Sequence, residues 1–260
     1  MMDKSEIQRE HFNKISKLYL SSRENKNHLA YKQIWWDSLL NYLQKNLIIQ
    51  DKKMECLEAM CGIAEGSQFF IKRFPHFHFE GFDYSDEMVE HSKQVNGENV
   101  RIFQQDMLKF KSEKKYDLVI ILGGLHHVPD GVSIALQNIY NSLKPGGLFI
   151  NLEPTHNNWL FKKIRERIYK KNSLFEENSE RGFELDQYNT LLTGNKFKIL
   201  KQFYPGLVGY VLYYNPDAFP FLNIGNTFFS KFFSKLDWML GKTWIGKKFS
   251  FATWTIAEKV

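Results

Sequence analysis

Hydrophobic positions in residues 5–46 recur at helical spacing and predict two helices. The repeating positions are Phe12, Ile15 and Tyr19 in the first helix and Trp35, Leu39, Tyr42 and Leu43 in the second. The stretch between them, SSRENKNH, is polar and rich in turn-forming residues. We therefore expect residues 1–50 to form a helical cover on the part of the chain that follows.

From residue 54 the pattern changes, and short apolar runs alternate with helical stretches. The runs are MECLEAM, FHFEGFD, VRIFQQD, YDLVIIL and GGLFINLEP, and the helical stretches are GSQFFIKRF, SDEMVEHSKQV and GVSIALQNIYNSL. This β-α-β-α order predicts a parallel sheet with helices on both faces. The purely apolar run LVIIL is typical of a central strand that is buried on both sides. Residues 51–155 should therefore form an α/β core.

Residues 156–260 combine helical and strand-like patterns. The first part, to residue 196, is polar and helical, with a loop-like middle at NSLFEENSERGFE. FKILKQFYP and FSFATWTIAEK then alternate as strands do, on either side of an aromatic-rich segment, residues 207–245. We expect a helical insertion and cap, followed by the last two strands of the same sheet.

Composition indicates one substantial hydrophobic core. The chain has 260 residues, of which 43% are hydrophobic and 25% charged. Its two cysteines, Cys56 and Cys61, lie in one tight turn where a disulfide would have poor geometry, and no metal-binding spacing of Cys and His occurs. The N-terminus, MMDKSEIQREHF, lacks an apolar signal region. These features predict reduced thiols, no bound metal and a cytoplasmic location.

The net charge of +6 allows two interpretations. One is a solvated basic surface, and the other is an anionic partner such as a membrane surface, a nucleic acid or a phosphorylated substrate. Near the C-terminus one helical stripe is apolar and is interleaved with lysines; its members are Phe229, Phe232, Phe233, Leu236 and Leu240. This stripe predicts either a helix packed on the sheet or in a homodimer, or a membrane-surface contact through residues 226–248.

The turn CLEAMCGIAEG should border a ligand site. In an open parallel sheet, ligands bind beyond the carboxyl ends of the strands, where this turn belongs. Gly62 would let the backbone bend and approach a ligand closely. A dinucleotide loop would present its backbone to phosphate, but Glu58 and Glu65 would repel that group. A carboxylate at Glu58 instead favours an ammonium or sulfonium ligand.

Acidic residues also follow the next two strands. Asp83 ends the run FHFEGFD, and its carboxylate could accept both hydroxyls of a ribose. Asp106 ends VRIFQQD, where an acid could accept a hydrogen bond from an adenine amino group. The fourth run ends in a Gly-Gly bend followed by His126 and His127. Together the strand ends predict a site for an adenosyl group.

Residues 54–154 resemble a class I S-adenosylmethionine-dependent methyltransferase, and in particular the small-molecule branch that includes quinone-ring methyltransferases. The first motif of that family, acid-x-Gly-x-Gly-x-Gly, corresponds to residues 58–64, where only Gly62 is retained and Met60 and Ala64 replace the other glycines. GFDYSDEMVEHS, QQDM, LVIILGGLHHVPD and SLKPGGLFI resemble the later motifs in the same order. The resemblance implies a Rossmann-like, mostly parallel sheet of seven strands whose last strand, FSFATWTIAEK, runs antiparallel.

The resemblance also implies the cofactor and its contacts. The cofactor would be S-adenosyl-L-methionine, and the implied binding residues are Glu58, Met60, Cys61, Gly62, Asp83, Tyr84, Met88, Asp106, Met107, Leu122 and Gly123. Tyr19, Tyr31 and Trp35 on the N-terminal helices are candidates for contact with the substrate, and a place in the core is their alternative.

Methyl transfer is an in-line displacement in which the protein positions the acceptor, excludes water and, for a hydroxyl acceptor, removes a proton. Candidates for the catalytic base are His126, His127, Glu153 and His156. We expect a small-molecule or lipid-linked acceptor, and no DNA partner. An RNA methyltransferase, which the positive charge allows, and a non-catalytic scaffold that binds the cofactor are the alternatives.

Overall fold

The computed structural model describes residues 4–47, 52–171, 182–216 and 219–260. In chain order the helices and strands are α1 (Lys4–Arg23), α2 (Lys26–Asn46), β1 (Glu55–Ala59), α3 (Glu65–Arg73), β2 (His78–Asp83), α4 (Asp86–Asn96), β3 (Val100–Gln104), β4 (Tyr116–Leu122), α5 (Val132–Ser142), β5 (Leu143–His156), α6 (Trp159–Lys171), β6 (Phe183–Glu184), α7 (Leu185–Gly194), β7 (Phe197–Phe203), α8 (Val208–Tyr213), α9 (Thr227–Leu240), α10 (Trp244–Phe249) and β8 (Ala252–Lys259). Short 3₁₀ turns lie at residues 97–99, 107–109, 125–127 and 220–222.

The strands form one twisted sheet in the order β3-β2-β1-β4-β5-β8-β7. Neighbours from β3 to β5 are parallel, whereas β8 is antiparallel to both β5 and β7. The predicted α/β class and the antiparallel terminal strand are confirmed. Within the described residues the sheet has eight strands rather than seven, because the two-residue strand β6 pairs with the end of β5 beside the main order.

Successive residues of the central strands point to opposite faces of the sheet. Cys56 and Ile120 belong to one apolar cluster, which contains side chains from α2 and α3. Leu57 and Ile121, each one residue later, belong to the second cluster, which contains side chains from α5 and α7. Both faces of β1 and β4 are therefore covered, as the continuous apolar run of β4 predicts for that strand.

The two predicted N-terminal helices are present. Asn25 begins α2 by accepting hydrogen bonds from the backbone N–H groups of Asn27 and His28. Helix α1 contacts α4, where Arg9 pairs with Asp86 at 2.7 Å. These contacts place α1 across the carboxyl ends of the strands.

Three local features differ from the sequence pattern or lie outside the structure. β3 ends at Gln104, so Asp106 lies in the turn after the strand. β5 begins at Leu143, before the Pro-Gly-Gly bend, and its pairing with β4 skips residues 144–147 as an irregularity. All but the last three residues of NSLFEENSERGFE lie outside the described residues.

Candidate active site

A cavity of about 530 Å³ opens at the carboxyl ends of β1 to β4. Its size is that of a pocket for a cofactor or small molecule, and parallel sheets bind their ligands at this edge. Side chains from α1 and α2 and from residues 210–215 and 219–222 also line the cavity. Ten of the eleven residues predicted to bind the cofactor line it: Met60, Cys61, Gly62, Asp83, Tyr84, Met88, Asp106, Met107, Leu122 and Gly123.

The loop after β1 has left-handed backbone at every second residue. The φ angles are 53° at Met60, 53° at Gly62 and 55° at Ala64. These are the three positions at which the family that the sequence resembles has glycine. For a residue with a Cβ atom this conformation costs roughly 1–2 kcal/mol. The backbone N–H of Cys61 donates to the Phe82 carbonyl at 2.8 Å and holds the loop against the end of β2. The loop therefore keeps a glycine-type conformation although two of its glycines are replaced.

Glu58 is the one predicted cofactor residue that does not line the cavity. It is fully buried below the loop, where its carboxylate accepts hydrogen bonds from the backbone N–H groups of Gly66 (3.0 Å) and Ser67 (2.6 Å) and from the Ser67 hydroxyl. Burial raises the pKa of Glu58 to about 7, although these hydrogen bonds oppose the shift. This placement corrects the expectation of a contact with a cationic ligand: Glu58 satisfies the N-terminus of α3.

Asp83 joins two loops at the floor of the cavity. One carboxylate oxygen accepts from the Gly62 N–H at 2.8 Å, and the other accepts from the Ser85 N–H at 3.0 Å. Burial raises the pKa of Asp83, and the backbone donors oppose that rise. Because each carboxylate oxygen can accept more than one hydrogen bond, Asp83 retains acceptor capacity for a hydroxyl-bearing ligand.

Asp106 and Met107 form the next part of the wall. The Asp106 carboxylate accepts from the Leu108 N–H at 2.9 Å and lies 3.3 Å from the Lys109 ammonium. Met107 and Met88 are both only 2% exposed, and their flexible thioether side chains give this end of the cavity an apolar surface. An acceptor beside two methionines is a suitable environment for a flat ring that carries an amino group.

His126 lines the part of the cavity that follows β4, and a carboxylate holds its ring in place. The fully buried Glu153 lies 2.8 Å from Nδ1 of His126 and also accepts from the Leu125 N–H at 2.9 Å. Asn151 donates to the same carboxylate at 3.0 Å. In the neutral tautomer that donates Nδ1–H to this carboxylate, Nε2 is the proton-accepting nitrogen of the ring. His127 is adjacent, with ring centroids 3.9 Å apart, and both histidines line the cavity.

Three further predicted site residues do not line this cavity. Tyr31 is fully buried and donates to Asp237 at 2.8 Å, and Trp35 is 1% exposed and stacks on Tyr210. His156 is 6% exposed, and burial, together with the charge of Arg165, lowers its pKa to about 4. The expected substrate contacts of Tyr31 and Trp35 and the expected base role of His156 are thereby corrected to positions in the packed interior. Tyr19, in contrast, lines the cavity.

Four basic residues line the cavity and were not singled out from the sequence: Arg9, Arg23, Lys32 and Arg165. Lys32 forms a short ion pair with Glu65, the first residue of α3, which also lines the cavity. Burial lowers the pKa of Lys32, and the charge of Glu65 opposes that shift. The signal for Lys32 was present in the sequence, because helical spacing places it on the same face of α2 as Trp35 and Trp36.

Comparisons with known proteins agree with this geometry. Residues 56–147 match the family model described as "Methyltransferase domain". Malonyl-(acyl-carrier protein) O-methyltransferase 1 of Ilyobacter polytropus is 28% identical over 151 residues, which cover 57% of this chain and 54% of the relative. Demethylmenaquinone methyltransferase of Leptospira interrogans is 29% identical over 153 residues, which cover 56% and 59%. The chain thus spans somewhat more than half the length of these curated relatives.

A solved structure shows the same fold over nearly the whole chain. It is magnesium protoporphyrin IX methyltransferase from Synechocystis PCC 6803 with bound S-adenosylhomocysteine. The TM-score is 0.63 at 17% identity, and the alignment covers 98% of this chain and 99% of that one. At this identity the likeness shows the arrangement of helices and strands, and it says nothing about the acceptor.

Proposed function

Because residues 56–147 match a methyltransferase domain, we propose that the protein is a class I S-adenosylmethionine-dependent methyltransferase that transfers a methyl group from that cofactor to a small-molecule or lipid-linked acceptor. One observation carries the proposal. The Gly62 loop, Asp83, Asp106 and the histidine pair, which are far apart in the sequence, line a single cavity. The cavity therefore offers groups that can bind an adenosyl moiety and, beside them, a candidate base for the methyl acceptor.

The residues present suit the cofactor. Asp83 offers oxygen acceptors to the ribose hydroxyls, and Asp106 with Met107 offers an acceptor and an apolar contact to the adenine. The amino-acid end of the cofactor carries one ammonium and one carboxylate. The ion pair of Lys32 with Glu65 presents one charge of each sign beside the Gly62 loop and can pair with both.

When bound, S-adenosylmethionine supplies an activated methyl group on its sulfonium sulfur. The chain's own contribution is to position the acceptor and to receive the proton that an acceptor hydroxyl or amine loses. His126 is the proton acceptor in this proposal, and Glu153 is a positioning residue that fixes the ring and balances its positive charge. A positioned base of this kind contributes roughly 10²–10⁴-fold to the rate.

The test is transfer of label from methyl-labelled cofactor to separate lipid, small-metabolite and nucleic-acid fractions. We expect label in the lipid or small-metabolite fraction. Label confined to nucleic acid would reject the acceptor class, and binding of S-adenosylhomocysteine without label in any fraction would identify a scaffold.

The role of His126 is tested in the same assay. His126→Ala should lower turnover by about 10²-fold or more and remove the acidic limb of the pH–rate profile, with unchanged affinity for S-adenosylhomocysteine. His127→Ala is the matched control, and it should retain the pH dependence. Equal losses in both variants would remove His126 from the role of base.

A further inference from the structure

Helix α9 buries three polar residues beside Trp238. The residues that face α2 and α8 include Ser230, Ser234 and Asp237, all fully buried. Ser234 donates to the Tyr31 carbonyl at 2.8 Å, and Asp237 accepts from the Tyr31 hydroxyl at 2.8 Å. Trp238 also packs inward, against Phe203, but the buried polar residues take up positions that are usually apolar, and other large apolar side chains of α9 face solvent.

Large apolar side chains make up the outward side. Phe228 is 70% exposed, Phe232 is 53% exposed and Met239 is 60% exposed. Their spacing along the helix puts them on one stripe opposite the buried serines. Trp244 at the start of α10 is 69% exposed and extends the apolar character past the end of α9.

The same region is strongly basic. Five exposed lysines lie on α9, on α10 and in the turn between them: Lys231, Lys235, Lys242, Lys247 and Lys248. In residues 226–249 the sequence has one acidic residue, Asp237, and its carboxylate is buried against Tyr31 and Tyr210. We call residues 226–249 the aromatic–lysine surface. Its complement must be apolar and negatively charged.

The aromatic–lysine surface is close in the chain to the cavity rim. Phe221 lines the cavity and is also 74% exposed, and Phe219 contacts its ring edge to face. The turn at residues 220–222 that carries Phe221 is joined to α9 by four residues, and Tyr213 of α8 holds that link through the Ile224 carbonyl at 3.1 Å. The rim and the surface are therefore tied to the same elements.

We propose that the aromatic–lysine surface docks the protein on the surface of an anionic lipid bilayer. Aromatic side chains favour the boundary between headgroups and acyl chains, and lysines on the same helix attract anionic headgroups. A second copy of the chain is a poorer occupant, because five lysines would face five lysines. Within the described residues no helix is both long enough and apolar enough to cross a bilayer. Given the proposed function, docking would bring the cavity rim to a lipid-borne acceptor.

Sedimentation with vesicles tests the docking surface. We expect the protein to pellet with phosphatidylcholine vesicles that contain phosphatidylglycerol and to stay in solution with phosphatidylcholine alone. Phe228→Ser with Phe232→Ser, and separately Lys231→Glu with Lys235→Glu, should each weaken vesicle binding by about tenfold or more. Val95→Ser with Ile134→Ser, which alters apolar residues that are 52% and 50% exposed elsewhere, should not change it.

Two further measurements separate folding and activity from docking. Every variant should bind S-adenosylhomocysteine as the unaltered chain does, since none of these residues lines the cavity. Failure of methyl transfer with intact vesicle binding would reject the proposed function and leave the docking surface standing. The proposal would be overturned if the unaltered chain did not pellet with anionic vesicles, or if the phenylalanine variants pelleted with them as the unaltered chain does. So would a dimer that the phenylalanine substitutions dissociate.

Discussion

Met60 and Ala64 hold a backbone conformation that glycine adopts at lower cost. The loop keeps that conformation because its N–H groups bond to neighbouring strand ends, Cys61 to the Phe82 carbonyl and Gly62 to the Asp83 carboxylate. The sequence could identify Gly62 as the permissive position. It could not show that its two substituted neighbours keep the same φ, because residue type alone does not reveal which tertiary hydrogen bonds offset the strain.

Asp83 is the residue on which cofactor affinity should depend most. Asp83→Ala removes the acceptor of the Gly62 N–H and the expected acceptor of the ribose hydroxyls. The affinity for S-adenosylhomocysteine should therefore fall by ~1–3 kcal/mol, the cost of leaving buried donors without partners. Isothermal titration calorimetry measures the change. Glu87→Ala, which removes an exposed carboxylate four residues further along, should leave the affinity unchanged, and equal affinities for both variants would refute the ribose assignment.

The contact between Glu58 and the start of α3 could not be predicted from the sequence. An acid at the end of β1 has the same pattern whether it points into the cavity or toward the next helix. The structure turns Glu58 to the first N–H groups of α3 and leaves the Asp83 carboxylate at the loop. The position of α9 has a similar cause. The predicted stripe is divided: Phe229 and Phe232 are exposed, whereas Phe233 packs against the core. The serines and Asp237 that bond to α2 set this rotation of the helix.

The contribution of Glu58 to folding should depend on pH. Burial raises its pKa from 4.5 to about 7, so the folded chain binds this proton more tightly than the unfolded chain does. The resulting stabilisation is complete below the unfolded pKa and is lost as the pH rises through the folded pKa. Glu58→Gln removes the titration, so the free energy of unfolding should fall less between pH about 5 and about 8 than in the unaltered chain.

Urea denaturation at the two pH values measures this difference. Glu58→Gln should also be less stable at both pH values, by about 1–3 kcal/mol, because the amide nitrogen that replaces one carboxyl oxygen is only a donor and cannot accept from the N–H groups of Gly66 or Ser67. Glu113→Gln, at an exposed loop position, is the control and should keep the original slope. If Glu58→Gln keeps the pH dependence of the unaltered chain, the pKa of Glu58 is not raised in the folded state.

At the scale of the whole molecule, local sequence patterns were sufficient to predict the sheet but not the residues that cover the cavity. The alternation of apolar runs and helices fixes a parallel sheet, and ligand residues at strand ends then converge without further information. The cover depends on contacts between distant parts of the chain. Arg9 pairs with Asp86, 77 residues away, and Arg23 donates to the Tyr214 carbonyl, 191 residues away. Such pairs leave no local signal, which is why Arg9 and Arg23 were missed as cavity residues.

The central claim is that one cavity, formed by the ends of β1 to β4 and closed by α1, binds the adenosyl group of the methyl donor. A crystal structure of the chain with S-adenosylhomocysteine tests it most directly. The account predicts the ribose hydroxyls within hydrogen-bond distance of Asp83, the adenine between Asp106 and Met107, and the sulfur on the side of His126. Cofactor density outside this cavity, or a ribose that does not contact Asp83, would contradict it.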